Sequence, residues 1–362
     1  MKRRDLLIGG AAAALVGCDG GSGDGGPAVQ TQRKIRWRLA SSFPRSLDTL
    51  FGASEYLAER IRAMTDGNFD IRPYPAGELV PGLEVFDAVQ QGTVQVGQTV
   101  SYYYTGKNPA LAFDACVPFG MTARQKGAWL HEGGGLPLLR ELFADFNIIN
   151  FPGGNTGVQM GGWFRSPLAS LADLNGLKMR IPGLGGEVMA RMGVSVQVIA
   201  GGEIFPALER GTIDATEWVG PYDDEKLGFH KVARTYHYPG WWEPGPNLSI
   251  YANKEAFEKL PATYQAIFQA ACRETELRML AQYDTLNPQA LKRLKALDIN
   301  VVPFPTDIME KAAAESRALV EQNASKDPTY QKIFSSWDTA RAEMFSWFSA
   351  GELEYAQFAF QR

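Results

Sequence analysis

A polar and aromatic set stands in segments that read as loops: Tyr102, Tyr103, Asn155, Gln159, Arg180, Glu217, Trp218 and Glu243. An arginine guanidinium is a planar fork that grips a carboxylate through two parallel hydrogen bonds. Arg180, closing the strand-like Lys178-Met179-Arg180, is placed to act as such a clamp, with a surface salt bridge as the alternative. Tyrosine, asparagine and glutamine orient the remaining oxygens of a ligand without adding charge. Glu217 and Glu243 would repel a bound anion in a low-dielectric cleft. A cation between them removes that conflict. Oxygen ligands from Gln159, Glu217, Glu243 and a backbone carbonyl suit a hard ion, sodium or calcium, and not zinc.

Signs of catalysis are lacking by contrast. The sequence has no HExxH, GxSxG, Walker A or EF-hand pattern. Gly183-Leu184-Gly185-Gly186 lacks the preceding strand and following acid of a dinucleotide site, and His131, His230 and His237 lack ligand spacing. Cys116 and Cys272 lie among apolar neighbours without a CxxC partner, which favours buried free thiols over a disulfide. The expectation is a protein that binds and is not an enzyme.

The elements that must position this set follow from periodicity. Ile35, Trp37 and Leu39 alternate with Arg36 and Arg38 as in a half-buried strand. Leu47, Leu50, Phe51, Leu57, Ala58, Ile61 and Met64 then recur at helical spacing up to Asp66-Gly67. Strands over 69–73 and 93–99 flank a helix over 83–91, the rhythm of a parallel sheet with helices on its faces. A helical stretch over 124–145 and a strand over 146–151 close this block. A second block begins at Gly157, with strands over 157–164 and 195–199 and helices over 185–192 and 204–210. Ligands of such paired α/β blocks collect in the cleft where their loops face each other. From Thr306 onward the pattern is helix only, with an aromatic stripe through Ile333, Phe334, Trp337, Met344, Phe345, Phe348, Leu353 and Tyr355. It suits either packing on the chain's own body or an interface with a second copy.

The ends give an address. Lys2, Arg3 and Arg4 precede an apolar run from Leu6 to Val16 that is too short to span a bilayer, as in a secretory signal peptide; Arg3-Arg4 fits either twin-arginine or general export. The run ends in Leu15-Val16-Gly17-Cys18, which resembles the bacterial lipobox, with Cys18 as the lipidated residue. Asp19 after it hints at retention on the inner membrane, and the Gly-rich segment to Pro27 predicts a flexible tether. The 362 residues carry a net charge of −4 with scattered basic residues, so there is no electrostatic footprint for nucleic acid.

Asp173-Leu174-Asn175-Gly176-Leu177-Lys178-Met179-Arg180 and the run from Ala207 to Glu217 resemble two hallmark stretches of the binding proteins of TRAP transporters, the tripartite ATP-independent periplasmic family. The runs Gly153 to Phe164, Trp218 to Gly228 and Tyr238 to Glu243 resemble its 2-oxoacid-binding branch, with a lactate-binding relative nearby. The resemblance covers nearly the whole mature chain. It implies a two-lobed α/β periplasmic-binding-protein-like fold with a ligand cleft, a long helix crossing both lobes and a C-terminal helical extension. It implies that Arg180 grips the ligand carboxylate and that Tyr103 and Asn155 touch the ligand, beside Tyr102, with Phe43 and Trp242 as walls. It places Gln159, Glu217, Glu243 and the Trp218 carbonyl around a bridging cation, and a homodimer through an exchanged C-terminal helix. The expected layout is a signal peptide over 1–17, a lipidated tether over 18–33, and lobe I over 34–155. Lobe II follows over 156–246, the segment 247–305 is shared between the lobes, and the extension covers 306–362. The partners would be a small monocarboxylate, the TRAP membrane subunits and the membrane itself through Cys18. An exported sensor or an enzyme for the same acids are the rival readings.

Overall fold

The computed structural model describes residues 34–361. The signal-peptide, tether and Cys18 expectations lie outside the described residues. The alternation at Ile35, Trp37 and Leu39 forms β1 (Ile35–Ser41), with Trp37 and Leu39 buried and Arg36 and Arg38 exposed. After it come β2 (Phe69–Tyr74), β3 (Val96–Thr99) and β4 (Ile148–Asn155). Then follow β5 (Trp163–Phe164), β6 (Lys178–Arg180), β7 (Ser195–Gln197), β8 (Ala215–Thr216) and β9 (Thr235–Tyr238). The last strands are β10 (Asn247–Asn253) and β11 (Asn300–Pro303). They assemble into two sheets, one ordered β2-β1-β3-β10-β4 and the other β11-β9-β5-β8-β6-β7.

Parallel pairing joins β1 to β2 and β3, and β6 to β7 and β8. The parallel pairing expected from the strand and helix rhythm holds for β1, β2 and β3, while β10 runs antiparallel to β3 and β4, and β5 antiparallel to β8 and β9. β10 is buried along its whole length, so it shows no alternation to betray it. The strand expected over 157–164 shrinks to Trp163–Phe164. Gly162 adopts φ +87°, and a Cβ there would stand 2.4 Å from the Thr216 carbonyl oxygen, so the stretch before it is irregular backbone. The helical run over 124–145 is two helices, Ala123–His131 and Gly135–Ala144.

The helix Leu50–Met64 buries Leu50, Phe51, Ala53, Ser54, Leu57, Ala58 and Ile61, the face its periodicity marks. A longer helix, Ala262–Lys295, spans about 50 Å at the rise of an ideal helix. Its Phe268, Ala271 and Cys272 belong to the core of the first sheet, and its Met279, Tyr283 and Leu294 to a core shared with the second. One rod is therefore common to both halves. The halves also meet directly: Thr49 Oγ1 donates to Asp223 Oδ1 (2.8 Å), and the Tyr283 hydroxyl donates to the other oxygen (2.7 Å). Beside them, Tyr222 donates its hydroxyl to Asp48 (3.0 Å), which also pairs with Lys226.

The C-terminal part is helical throughout, with Thr306–Ala324, Pro328–Phe348 and Glu354–Ala359. Part of the aromatic stripe packs on the chain's own body. Tyr330, Ile333, Phe334 and Trp337 are buried at i, i+3, i+4 and i+7, and the rings of Tyr330, Phe334 and Trp337 pack on Phe113, whose ring lies 4.9 Å from Tyr330. Trp347, Leu353 and Tyr355 are exposed. No helix of the described residues is long and apolar enough to cross a membrane. Cys116 and Cys272 are buried free thiols.

Candidate ligand and cation site

Arg180 is the last residue of β6 and pairs in parallel register with Thr216 of β8, so Glu217 and Trp218 emerge from the same C-terminal edge. The turn with Phe43 follows β1, and the turn with Tyr102 and Tyr103 follows β3, the parallel pair of the other sheet. Asn155 ends β4, and Gln159 lies four residues beyond. The site thus gathers at the carboxyl ends of strands from both sheets, where loops are free to converge.

The Arg180 side chain is 1% exposed. Its Nε donates to the Ile199 carbonyl (3.0 Å), its Nη2 to the Tyr103 hydroxyl (3.4 Å), and its Nη1 pairs with Glu217 Oε1. The guanidinium also lies 5.1 Å from the centre of the Trp218 ring, a cation–π contact. Burial works against its charge, but Glu217 and the tyrosine hydroxyls outweigh it and turn the net pKa shift upward. Burial pushes the Glu217 carboxyl up, with Arg180 opposing and Asp224 adding to the rise. Glu243 is pushed well up by burial and by the charge of Glu217, although the Tyr102 hydroxyl donates to it (3.0 Å). One buried guanidinium faces two buried carboxyl groups, so ionising both would leave an excess of negative charge that their raised pKa values resist.

Two acceptors here have no hydrogen-bond partner among the described residues: Glu217 Oε2 and Gln159 Oε1, both buried. Gln159 is fixed on its other atoms, with Nε2 on Thr156 Oγ1 (3.2 Å) and its backbone N–H on the Glu243 carbonyl (3.2 Å). Orphaned buried oxygens beside unbalanced carboxylates are what a hard cation satisfies, so these residues fit one. Among the described residues no group of three or more His, Cys, Asp or Glu could hold a metal, so such a site depends on the amide and a backbone carbonyl to complete its oxygens.

Phe43, Tyr102, Tyr103, Gln159, Arg180 and Trp218 line one pocket, joined by Leu50, Val100, Thr156, Val219, Pro246 and Leu248. Phe43 and Trp218 close it edge to face, ring centres 6.5 Å apart. Two expected contacts stand behind this lining. Asn155 is engaged by backbone, its Nδ2 on the Gly245 carbonyl (3.3 Å) and its Oδ1 on the Gly157 N–H (2.8 Å). Trp242 is a wall only indirectly, packed against Gly185, Trp241 and Phe304. The missed lining residues Leu50 and Leu248 carry no polar signal, while Thr156 and Val219 are direct neighbours of residues that do.

The family model for bacterial extracellular solute-binding proteins, family 7, matches residues 40–327. The chain belongs to that family. This family 7 protein is 53% identical over 99% of both chains to a monocarboxylate 2-oxoacid-binding periplasmic protein of Nostoc sp.. Its fold superposes with a TM-score of 0.90 on a TRAP transporter solute-binding protein from Bordetella bronchiseptica, 47% identical, over 91% of this chain and 98% of that one. That protein is a mixed-occupancy dimer with copurified calcium and picolinate. A TRAP periplasmic solute-binding protein from Pseudoalteromonas atlantica, with bound sodium and pyruvate, is 39% identical with a TM-score of 0.87, over 90% and 99%. The family 7 protein is thus a two-lobed solute-binding protein of the TRAP type with a helical C-terminal extension.

Proposed function

We propose that this chain captures a small monocarboxylate, a 2-oxoacid such as pyruvate or else lactate, together with a sodium or calcium ion, and passes it to the membrane subunits of a TRAP transporter without chemical change. The observation that carries this reading is the buried Arg180 fork beside the orphaned oxygens of Glu217 and Gln159. The ligands of the Bordetella and Pseudoalteromonas proteins support it. A cation held by Gln159, Glu217, Glu243 and the Trp218 carbonyl would neutralise the carboxylates and present positive charge to the ligand oxygens. Arg180 grips the ligand carboxylate, Tyr103 orients it, and the apolar lining from Phe43, Leu50 and Leu248 accepts a short tail. Lobe I over 34–155 and lobe II over 156–246, with 247–305 shared, close on the ligand, and contacts made only when they meet shift the population to the closed form.

Titration calorimetry of the metal-stripped protein with pyruvate, 2-oxobutanoate, lactate and a dicarboxylate, each with and without sodium and calcium, tests this. Tight binding of a monocarboxylate that requires a cation is expected. Among the described lining residues Arg180 is the only basic one, so the second carboxylate of a dicarboxylate would be buried without a partner. We expect it to bind about 100-fold more weakly or less. Cation-independent binding of a dicarboxylate would refute the assignment.

The chain is further proposed to be held at the outer face of the cell membrane by lipid on Cys18, which raises its local concentration near the transporter. Cys18→Ser should leave affinity unchanged and release the protein from membranes on fractionation; a mutant that still pellets with membranes refutes the anchor. The exposed Trp347 and Tyr355 support a homodimer through the C-terminal extension.

A further inference from the structure

Three elements far apart in sequence converge behind the cation side of the site. Phe119 is a non-glycine residue at φ +53°, a conformation that persists only where its surroundings hold it. Its N–H donates to the Trp241 carbonyl (2.8 Å), and its ring stacks on Trp241 with centroids 5.2 Å apart and planes 16° apart. Its carbonyl accepts from both Nε (3.1 Å) and Nη2 (3.0 Å) of Arg341, which projects from the C-terminal helix Pro328–Phe348. Arg341 is itself laid over the Phe345 ring, 4.2 Å from its centre. From Trp241 the path is short. Trp242 follows, its carbonyl contacted by Cys116 Sγ (3.6 Å), and then Glu243, whose carbonyl accepts the Gln159 N–H. The same turn is pressed on the lobe I backbone at Gly245, where a Cβ would lie 2.2 Å from the Ala123 nitrogen.

We propose that Arg341 is a positioning residue for ligand capture: from the C-terminal helix it fixes Phe119, and through Phe119 the Trp241–Glu243 turn that carries one side of the cation site. This rests on the carboxylate-plus-cation reading above. A guanidinium with two donors on one carbonyl sets the plane of that peptide, and the stacked ring transmits the placement to Trp241. The C-terminal extension then governs how well Glu243 and Gln159 converge. Groups that orient metal ligands from behind commonly change metal affinity without touching the metal.

The test is terbium luminescence on the full protein, with terbium as an oxygen-seeking probe sensitised by the tryptophans around the site, followed by calorimetry of pyruvate with calcium. Arg341→Ala and Phe119→Gly, which reach the same contact from opposite sides, should each weaken terbium binding about tenfold, with Arg341→Lys recovering part of the loss. Arg317→Ala removes ion pairs to Glu321 and Asp338 in the same helical layer and serves as the control. It should lower Tm and leave terbium affinity unchanged. Should Arg341→Ala fail to fold, Phe119→Gly and Arg341→Lys carry the same comparison. Wild-type terbium affinity in variants that have lost only Tm would overturn the positioning role. Failure of the wild type to bind terbium or pyruvate is a different result, which sinks the cation reading and the proposal with it.

Discussion

Arg180→Ala is expected to abolish tight capture and to lower the stability of the protein as well. The guanidinium is 1% exposed and its charge is matched by Glu217, so truncation leaves a buried carboxylate without its partner. Losing one member of a buried hydrogen-bonded charge pair costs ~2–5 kcal/mol in binding, which is about 30-fold in Kd at the low end. A similar ~3–5 kcal/mol is at stake for the fold, because Glu217 and Glu243 would then face each other with no cationic side chain between them. Arg180→Lys keeps a point charge and loses the fork, so it should fall between wild type and alanine. Calorimetry and thermal unfolding read the two effects separately. Undiminished affinity in the alanine variant would remove Arg180 from the site.

Asn in place of Asp223 should change the pH profile of stability more than any other neutral substitution among the residues joining the two halves. Burial pushes the Asp223 carboxyl up from the ordinary 3.8 to about 6, with the hydrogen bonds from Tyr283 and Thr49 and the charge of Lys226 opposing and Asp48 adding. An acid whose pKa is raised on folding contributes stability that is fully present below its unfolded pKa, and that contribution is lost as pH rises through the folded value. Asparagine does not titrate. The stability of Asp223→Asn relative to wild type should therefore move in favour of asparagine by roughly 2 kcal/mol between pH 4 and 7, and level off above. Urea unfolding at a series of pH values measures it. A difference that is flat with pH would show that Asp223 is ionised at no cost to the fold.

Most of the polar site was legible because its chemistry is written in residue types that core packing rarely needs. Arg180, Glu217, Glu243 and Gln159 are buried polar groups, and each declares a partner by being there. Legibility ended where a residue's role is apolar or its neighbours are remote. Leu50 and Leu248 read as core in any sequence, and it is the meeting of the two sheets that turns them toward the cavity. Asn155, expected to touch the ligand, is anchored by the backbone of Gly157 and Gly245, and residue type alone does not show that anchoring. The elements follow the same division. Helix Leu50–Met64 and strand Ile35–Ser41 show their period openly, whereas β10 is buried throughout and its antiparallel return was invisible. The stretch before Trp163 is apolar enough for a strand, and Gly162 overrides it.

The direct pairing of Arg180 with Glu217 has a consequence for what can enter. An anion that takes the guanidinium strips Glu217 of its partner, so a lone acid binds against the charge it uncovers. A cation that takes Glu217 alone leaves Arg180 equally bare. Each guest removes the penalty the other creates, and by linkage each must tighten the other by the same factor. On the proposed reading the site would work as a coincidence gate, passing over an anion or a cation alone and closing when an acid and its counter-ion arrive together.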